Sequence, residues 1–202
     1  MPSQMSNVKC SGFTLVEIVV VLALLGLLGG AAFNLFVSAF SAQRNTLSIQ
    51  KSTNQLSYVA EYTGRALRQA TKELRSSQQC LANVGRGWNY EVSVGNDSIA
   101  FLDKQGFCRK FSLSANQIVE QVATSPDSHD AANFGTTQPL TPSSMKVTNF
   151  RVVQRGAYQG DSITPDNEQP RITFVIEAEG EGSNATIRIQ TTISQRNFDV
   201  QQ

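Results

Sequence analysis

Residues 13–40, FTLVEIVVVLALLGLLGGAAFNLFVSAF, form an apolar run of 28 residues that carries a single charge, Glu17. At a helical rise of about 1.5 Å per residue such a run crosses the roughly 30 Å hydrocarbon core of a bilayer, so it reads as a membrane span. An ordinary secretory signal has an apolar region of about 7–15 residues, followed by its cleavage site. Here the apolar character runs past Ala31 and Ala32, the only weak candidates for such a cut, through Leu35, Phe36, Val37 and Phe40. Glu17 is the anomaly, because an acidic side chain well inside a span costs about 2.5–3.5 kcal/mol on insertion scales. Two readings follow from the residues alone: Glu17 reaches the headgroups and the span begins at Ile18, or the carboxylate has work to do inside the membrane.

The chain has 202 residues, room for one anchor and one domain of ordinary size. Its formal net charge of +1 gives no bulk attraction for nucleic acid or another acidic polymer. No glycine-rich phosphate loop, GxSxG elbow or metal-ligand cluster occurs, and the lone histidine, His129, stands in a polar stretch between Asp127 and Asp130. The expectation is a chain that is not an enzyme and needs no cofactor or metal. Of the three cysteines, Cys10 lies in the short polar N-terminal segment, leaving Cys80 and Cys108 either bridged in an oxidising compartment or buried as separate thiols. A structural bridge is the expectation.

Gly12, Phe13, Thr14, Leu15, Val16 and Glu17 together resemble the type III signal of type IV prepilins and pseudopilins. The resemblance implies that an aspartic prepilin peptidase cuts between Gly12 and Phe13 on the cytoplasmic face and methylates Phe13. It also implies that Glu17 pairs with the free amino group of a neighbouring subunit's Phe13, a pairing that in low dielectric sets helix register. Other pilin or pseudopilin subunits, the peptidase, an inner-membrane assembly platform and membrane lipid are the partners so implied. The implied location is a single-pass inner-membrane protein whose C-terminal domain lies outside the cytoplasm, later in a pilus or pseudopilus. Two departures stand out: residues 1–12 contain one cation, Lys9, and Asn34 occupies the place where major pilins often carry proline. Gly26, Gly29 and Gly30 supply either local flexibility or close helix packing.

Beyond Ser41, Leu56, Val59, Ala60, Thr63, Leu67, Ala70 and Leu74 recur at spacings of three and four, while Gln43, Arg44, Lys51, Glu61, Arg65, Arg68, Lys72 and Arg75 take the other face. With no proline between Phe13 and Ser125, the helix is expected to run to about Ser77. After Cys80 the period becomes two. Strands are expected at 88–94, 98–102, 107–113 and 117–122, separated by turn residues such as Gly95-Asn96-Asp97 and Ser114-Ala115-Asn116. A Cys80–Cys108 bridge would tie this sheet to the end of the helix. Residues 124–144, rich in Pro, Ser, Thr and Asp, read as a long surface loop, and a second sheet is expected from strands at 146–154, 171–178 and 185–194.

The fold class is therefore α+β: a long N-terminal helix, half membrane-spanning and half amphipathic, packed on an antiparallel β domain. The parts are residues 1–12 as leader, 13–40 as transmembrane and assembly helix, 41–79 as its amphipathic continuation and 80–202 as the β domain. The closing segment ATIRIQTTISQRN resembles the end of the PulJ- and PilW-like minor subunits, which favours a minor over a major subunit. Major pseudopilins bind calcium in a late acidic loop. Asp161, Asp166, Asn167 and Glu168 offer oxygen ligands, but their spacing matches no EF-hand, so a solvated loop is the competing reading. The alternative from another class is a membrane-anchored, extracytoplasmic module for DNA or glycan, with Trp88 and Tyr90 as stacking residues instead of core.

Overall fold

Helix α1 runs over Leu15–Arg68 without a break, as expected where no proline interrupts 54 consecutive residues. The computed structural model describes residues 12–73, 80–81, 88–125, 134–156, 169–180 and 185–195. Lys9, Cys10, Leu74, Arg75, Ser77, His129, Asp161, Asp166, Asn167 and Glu168 lie outside these residues. The chain divides into two compact units, Met1–Asn45 and Thr46–Gln202.

In the first unit every described side chain, from Gly12 to Asn45, is exposed. This stretch of α1 is long and apolar enough to cross a membrane, and none of that apolar window is buried within the chain.

In the second unit α1 turns an apolar face inward. Leu56, Val59, Ala60, Thr63 and Leu67 are buried, at the spacing the periodicity predicts, and Lys51, Glu61, Arg65 and Arg68 stay exposed. The helix stops earlier than Ser77. The amides of Gln69 and Ala70 donate to the carbonyls of Ala66 and Leu67 at 3.1 and 3.2 Å, a tightened last turn. The chain then goes extended: Thr71 N–H donates to Leu102 O at 2.8 Å and Glu73 N–H to Trp88 O at 3.0 Å. These pairings with strand residues replace the next helical turn.

Strands β1 (Tyr90–Val92), β2 (Ser98–Leu102), β3 (Cys108–Ser114), β4 (Gln117–Val122) and β5 (Gln138–Pro139) form one antiparallel sheet in chain order. Strands β6 (Lys146–Arg155), β7 (Arg171–Glu179) and β8 (Thr186–Ser194) form a second. The β3–β4 turn places Ala115 and Asn116 at φ 48° and 60°, the left-handed pair that matches the twist of a tight hairpin. The amide of Val147 donates to Asn116 O and that of Val152 to Asn96 O, both at 2.8 Å, so turns of the first sheet bond the outer edge of β6. Between helix and sheets lies one core, in which Tyr90, Phe101, Phe111 and Phe174 are at most 1% exposed.

The stretch expected as a free loop over 124–144 is partly built into this fold. β5 pairs with Val119 and Glu120 of β4, Phe134 bridges Ala123, and the buried Thr141 hydroxyl accepts the Ile118 amide at 3.0 Å. A two-residue edge strand ending in proline carries no alternation for the sequence to show.

Candidate processing and assembly site

Gly12 and Phe13 precede the helix, and both are exposed. Thr14 is the helix cap. Its side-chain oxygen accepts the Glu17 amide at 3.3 Å, and its carbonyl accepts the amides of Glu17 and Ile18 at 3.1 and 3.2 Å. Thr14-Leu15-Val16-Glu17 is thus a T-x-x-E start signal, which places the bond between Gly12 and Phe13 one residue outside the cap, in backbone free of helical hydrogen bonding. A peptidase that grips an extended strand requires such a segment. A Cβ built on Gly12 would meet nothing within 4 Å, so the fold of the chain itself sets no demand for glycine there.

Glu17 stands in the first turn of α1, where the partial positive charge of the helix end favours a carboxylate. That position supplies a local reason for an acid, which sequence reasoning on the charge alone passed over, although the T-x-x-E spacing was there to read. Among the described residues Glu17 makes no ion pair, and the side chains around it are exposed and apolar. Gly26, Gly29 and Gly30 likewise have open space where a Cβ would stand. Among the described residues these glycines have no packing partner.

One polar cluster of the second unit joins the helix to the first sheet. Arg109 donates to Asp103 at 2.8 Å and to Glu120 at 2.9 Å, and Tyr62 donates to Glu120 at 2.7 Å. Burial works against the Arg109 charge, but the two carboxylates outweigh it and hold the guanidinium above its ordinary range. Arg109, Asp103 and Tyr62 of this four-residue cluster border an open cleft of about 330 Å³ beside Gln69. Paired in this way, the cluster ties helix to sheet rather than offering a free acid or base.

Cys80 and Cys108 are joined by a disulfide, packed with Leu81, Leu102 and Ala123. Glu73, fully buried, accepts the amides of Cys80 at 2.8 Å and Leu81 at 3.1 Å. Desolvation raises its pKa, against these two hydrogen bonds. Nothing in the local sequence marks Glu73. Tyr90 is core: it is 1% exposed and its hydroxyl donates to Leu67 O at 2.7 Å, so it cannot stack on a ligand. Trp88 packs, partly buried, against the disulfide cluster. No group of three or more metal-ligating side chains occurs among the described residues.

Residues 7–33 match a family model described as the prokaryotic N-terminal methylation motif. No curated protein and no solved structure matches the chain. The motif supports a type IV pilin-like prepilin signal and a precursor of the pilin or pseudopilin kind, a structural subunit rather than an enzyme. It implies processing by prepilin peptidase and assembly with other pilins, and with the apolar helix it fits a membrane-anchored protein.

Proposed function

We propose that this chain is a minor pilin or pseudopilin that prepilin peptidase cuts between Gly12 and Phe13 and methylates at Phe13. It then enters a type IV pilus or a type II secretion pseudopilus through residues 13–40. Its domain from residue 80 onward stands outside the cytoplasm, and its contacts are other subunits, the inner-membrane assembly platform and lipid. The observation that carries this reading is Glu17: an exposed carboxylate in an apolar, membrane-length helix, with no ion-pair partner among the described residues. Exposed apolar surface of this extent needs lipid or other helices against it, and a carboxylate placed there needs a cation. The amino group created at Phe13 of a neighbouring copy is a cation at the right depth.

The test is Glu17→Ala beside Glu17→Gln. Both variants are expected to insert in the membrane and to be processed, and both to be lost from the assembled filament. Gln retains the length and polarity of Glu, so normal incorporation of the Gln variant would contradict the charge pairing.

A further inference from the structure

We infer that Arg44 and Phe40 form a binding site for the phosphate of a membrane phospholipid, at the end of the span opposite Glu17. The inference deepens the reading of residues 13–40 as a membrane segment and rests on it. Arg44 is the first charge after Glu17 along the chain, and no acidic residue occurs from Ile18 to Ala60. A helix brings positions 40, 41, 47 and 48 beside position 44. Phe40, Ser41, Leu47 and Ser48 stand there, so α1 has no carboxylate to give this guanidinium. Arg44 is exposed, and among the described residues it is in no ion pair.

Its depth follows from the helix. The uncharged run from Ile18 to Phe40 has 23 residues, about 35 Å of helix, enough to cover a hydrocarbon core of about 30 Å. Arg44 lies one turn beyond, where the headgroups begin. Helical side chains lean toward the N-terminus, which here means back toward the bilayer. Arg44 does so: its guanidinium carbon sits 4.5 Å over the centroid of the Phe40 ring. Phe40 in turn stacks on Phe36, with centroids 6.3 Å and planes 11° apart. Three side chains, each one turn from the next, thus form a column that is apolar toward the membrane and ends in a cation. Ser41 beside it asks nothing of the surroundings, since its hydroxyl donates to Ser38 O at 2.9 Å.

The ring attracts the cation but offers no oxygen, so the five N–H donors of the guanidinium are left for an outside acceptor. The charged acceptor that every phospholipid carries at this depth is its phosphodiester. Two non-bridging phosphate oxygens match the guanidinium fork and bring the negative charge as well. Ester carbonyls of the same lipid accept hydrogen bonds but carry no charge. Phe40 is the positioning residue: by holding the guanidinium against the helix at the rim of the core, it reduces the side-chain freedom that binding would otherwise remove. Lys51, an exposed cation about 10 Å further along the helix, has no ring beneath it among the described residues.

The test is native mass spectrometry of the full chain in dodecyl maltoside micelles, titrated with dioleoylphosphatidylglycerol or with dioleoylglycerol, which has the same acyl chains and no phosphate. The native chain is expected to retain the phosphatidylglycerol at least about tenfold more tightly. Arg44→Gln is expected to bring the two lipids within about twofold of each other, with the melting temperature unchanged within about 2 °C. Phe40→Leu should weaken phosphatidylglycerol retention about threefold and Phe40→Tyr should keep the native value, a split that apolar bulk alone would not give. Lys51→Gln should change nothing. Equal retention of the two lipids by the native chain, or an equal loss with Lys51→Gln, would overturn the site, the second because the attraction would then be diffuse. Displacement of the lipid by millimolar inorganic phosphate would overturn it in favour of a free-anion site. A drop in melting temperature for Arg44→Gln would overturn it because an acid of the chain itself would already hold the guanidinium. None of these readouts depends on cleavage at Gly12 or on Glu17. A chain that fails to sediment with vesicles of the same phospholipid would overturn the span itself, so the two failures are distinguishable.

Discussion

The two units of this chain put similar side chains to opposite uses. In the first, Leu22, Leu25, Leu28 and Phe33 are all more than half exposed, whereas in the second Leu56, Leu67, Phe101 and Phe174 are at zero. Apolar surface has to leave water, and the second unit achieves this by folding a sheet-backed core, while the first achieves it only against lipid or other helices. A core residue is thus tested by unfolding the chain, and a residue of the first unit by asking where the chain goes and what it joins.

The largest contrast is at Gly12. Gly12→Leu is expected to eliminate the cleaved, methylated product while leaving the melting temperature of the β domain unchanged, because a Cβ at this exposed position meets nothing within 4 Å among the described residues. Gel mobility and a thermal melt on one preparation check both halves. A drop in melting temperature would show that residue 12 matters to the fold of the second unit as well as to processing.

Next in size is the matched pair Phe111→Ala and Phe33→Ala. Phe111 is fully buried against Phe101, ring centroids 5.7 Å apart, so its truncation should cost about 3–5 kcal/mol in denaturant unfolding. Phe33 is 67% exposed, and its loss should shift the same transition by less than about 0.5 kcal/mol.

The disulfide is expected to rank third. Replacing Cys80 and Cys108 together by alanine opens a loop of sequence separation 28 and should lower stability by about 3 kcal/mol. Membrane insertion should not change.

The smallest effect is a pH dependence from Glu73. Burial raises its pKa in the folded chain above the unfolded value, so the native state binds the proton more tightly. The stability this group contributes is therefore fully present below the ordinary glutamate range and lost as pH rises through the raised value. Melting temperatures of the native chain and of Glu73→Gln, taken from pH 4 upward, should converge toward acid on this account: native stability should fall with rising pH more steeply than that of the variant. Parallel curves would remove Glu73 as the cause.

How much of this was legible in the sequence depended on whether the stop signal was local. β2 and β4 have the boundaries their flanking turns predict, because Asn96, Gly106 and Asn116 adopt the positive φ angles that asparagine and glycine tolerate best. The end of α1 was not legible. Leu67 and Ala70 keep the helical spacing, and what stops the helix is Thr71 and Glu73 pairing with Leu102 and Trp88, distant in sequence. β5 escaped notice for the same reason, as pairing with β4 alone makes it a strand. At the candidate site Glu17 announced itself by charge, and Thr14 was readable but unread.

The most direct measurement of the central claim is the mass of the mature N-terminus, taken on the chain recovered from the membranes of a cell that contains a prepilin peptidase. The expected first residue is Phe13 carrying one N-methyl group. A chain that still carries residues 1–12, or one cut beyond Ala32, would contradict it.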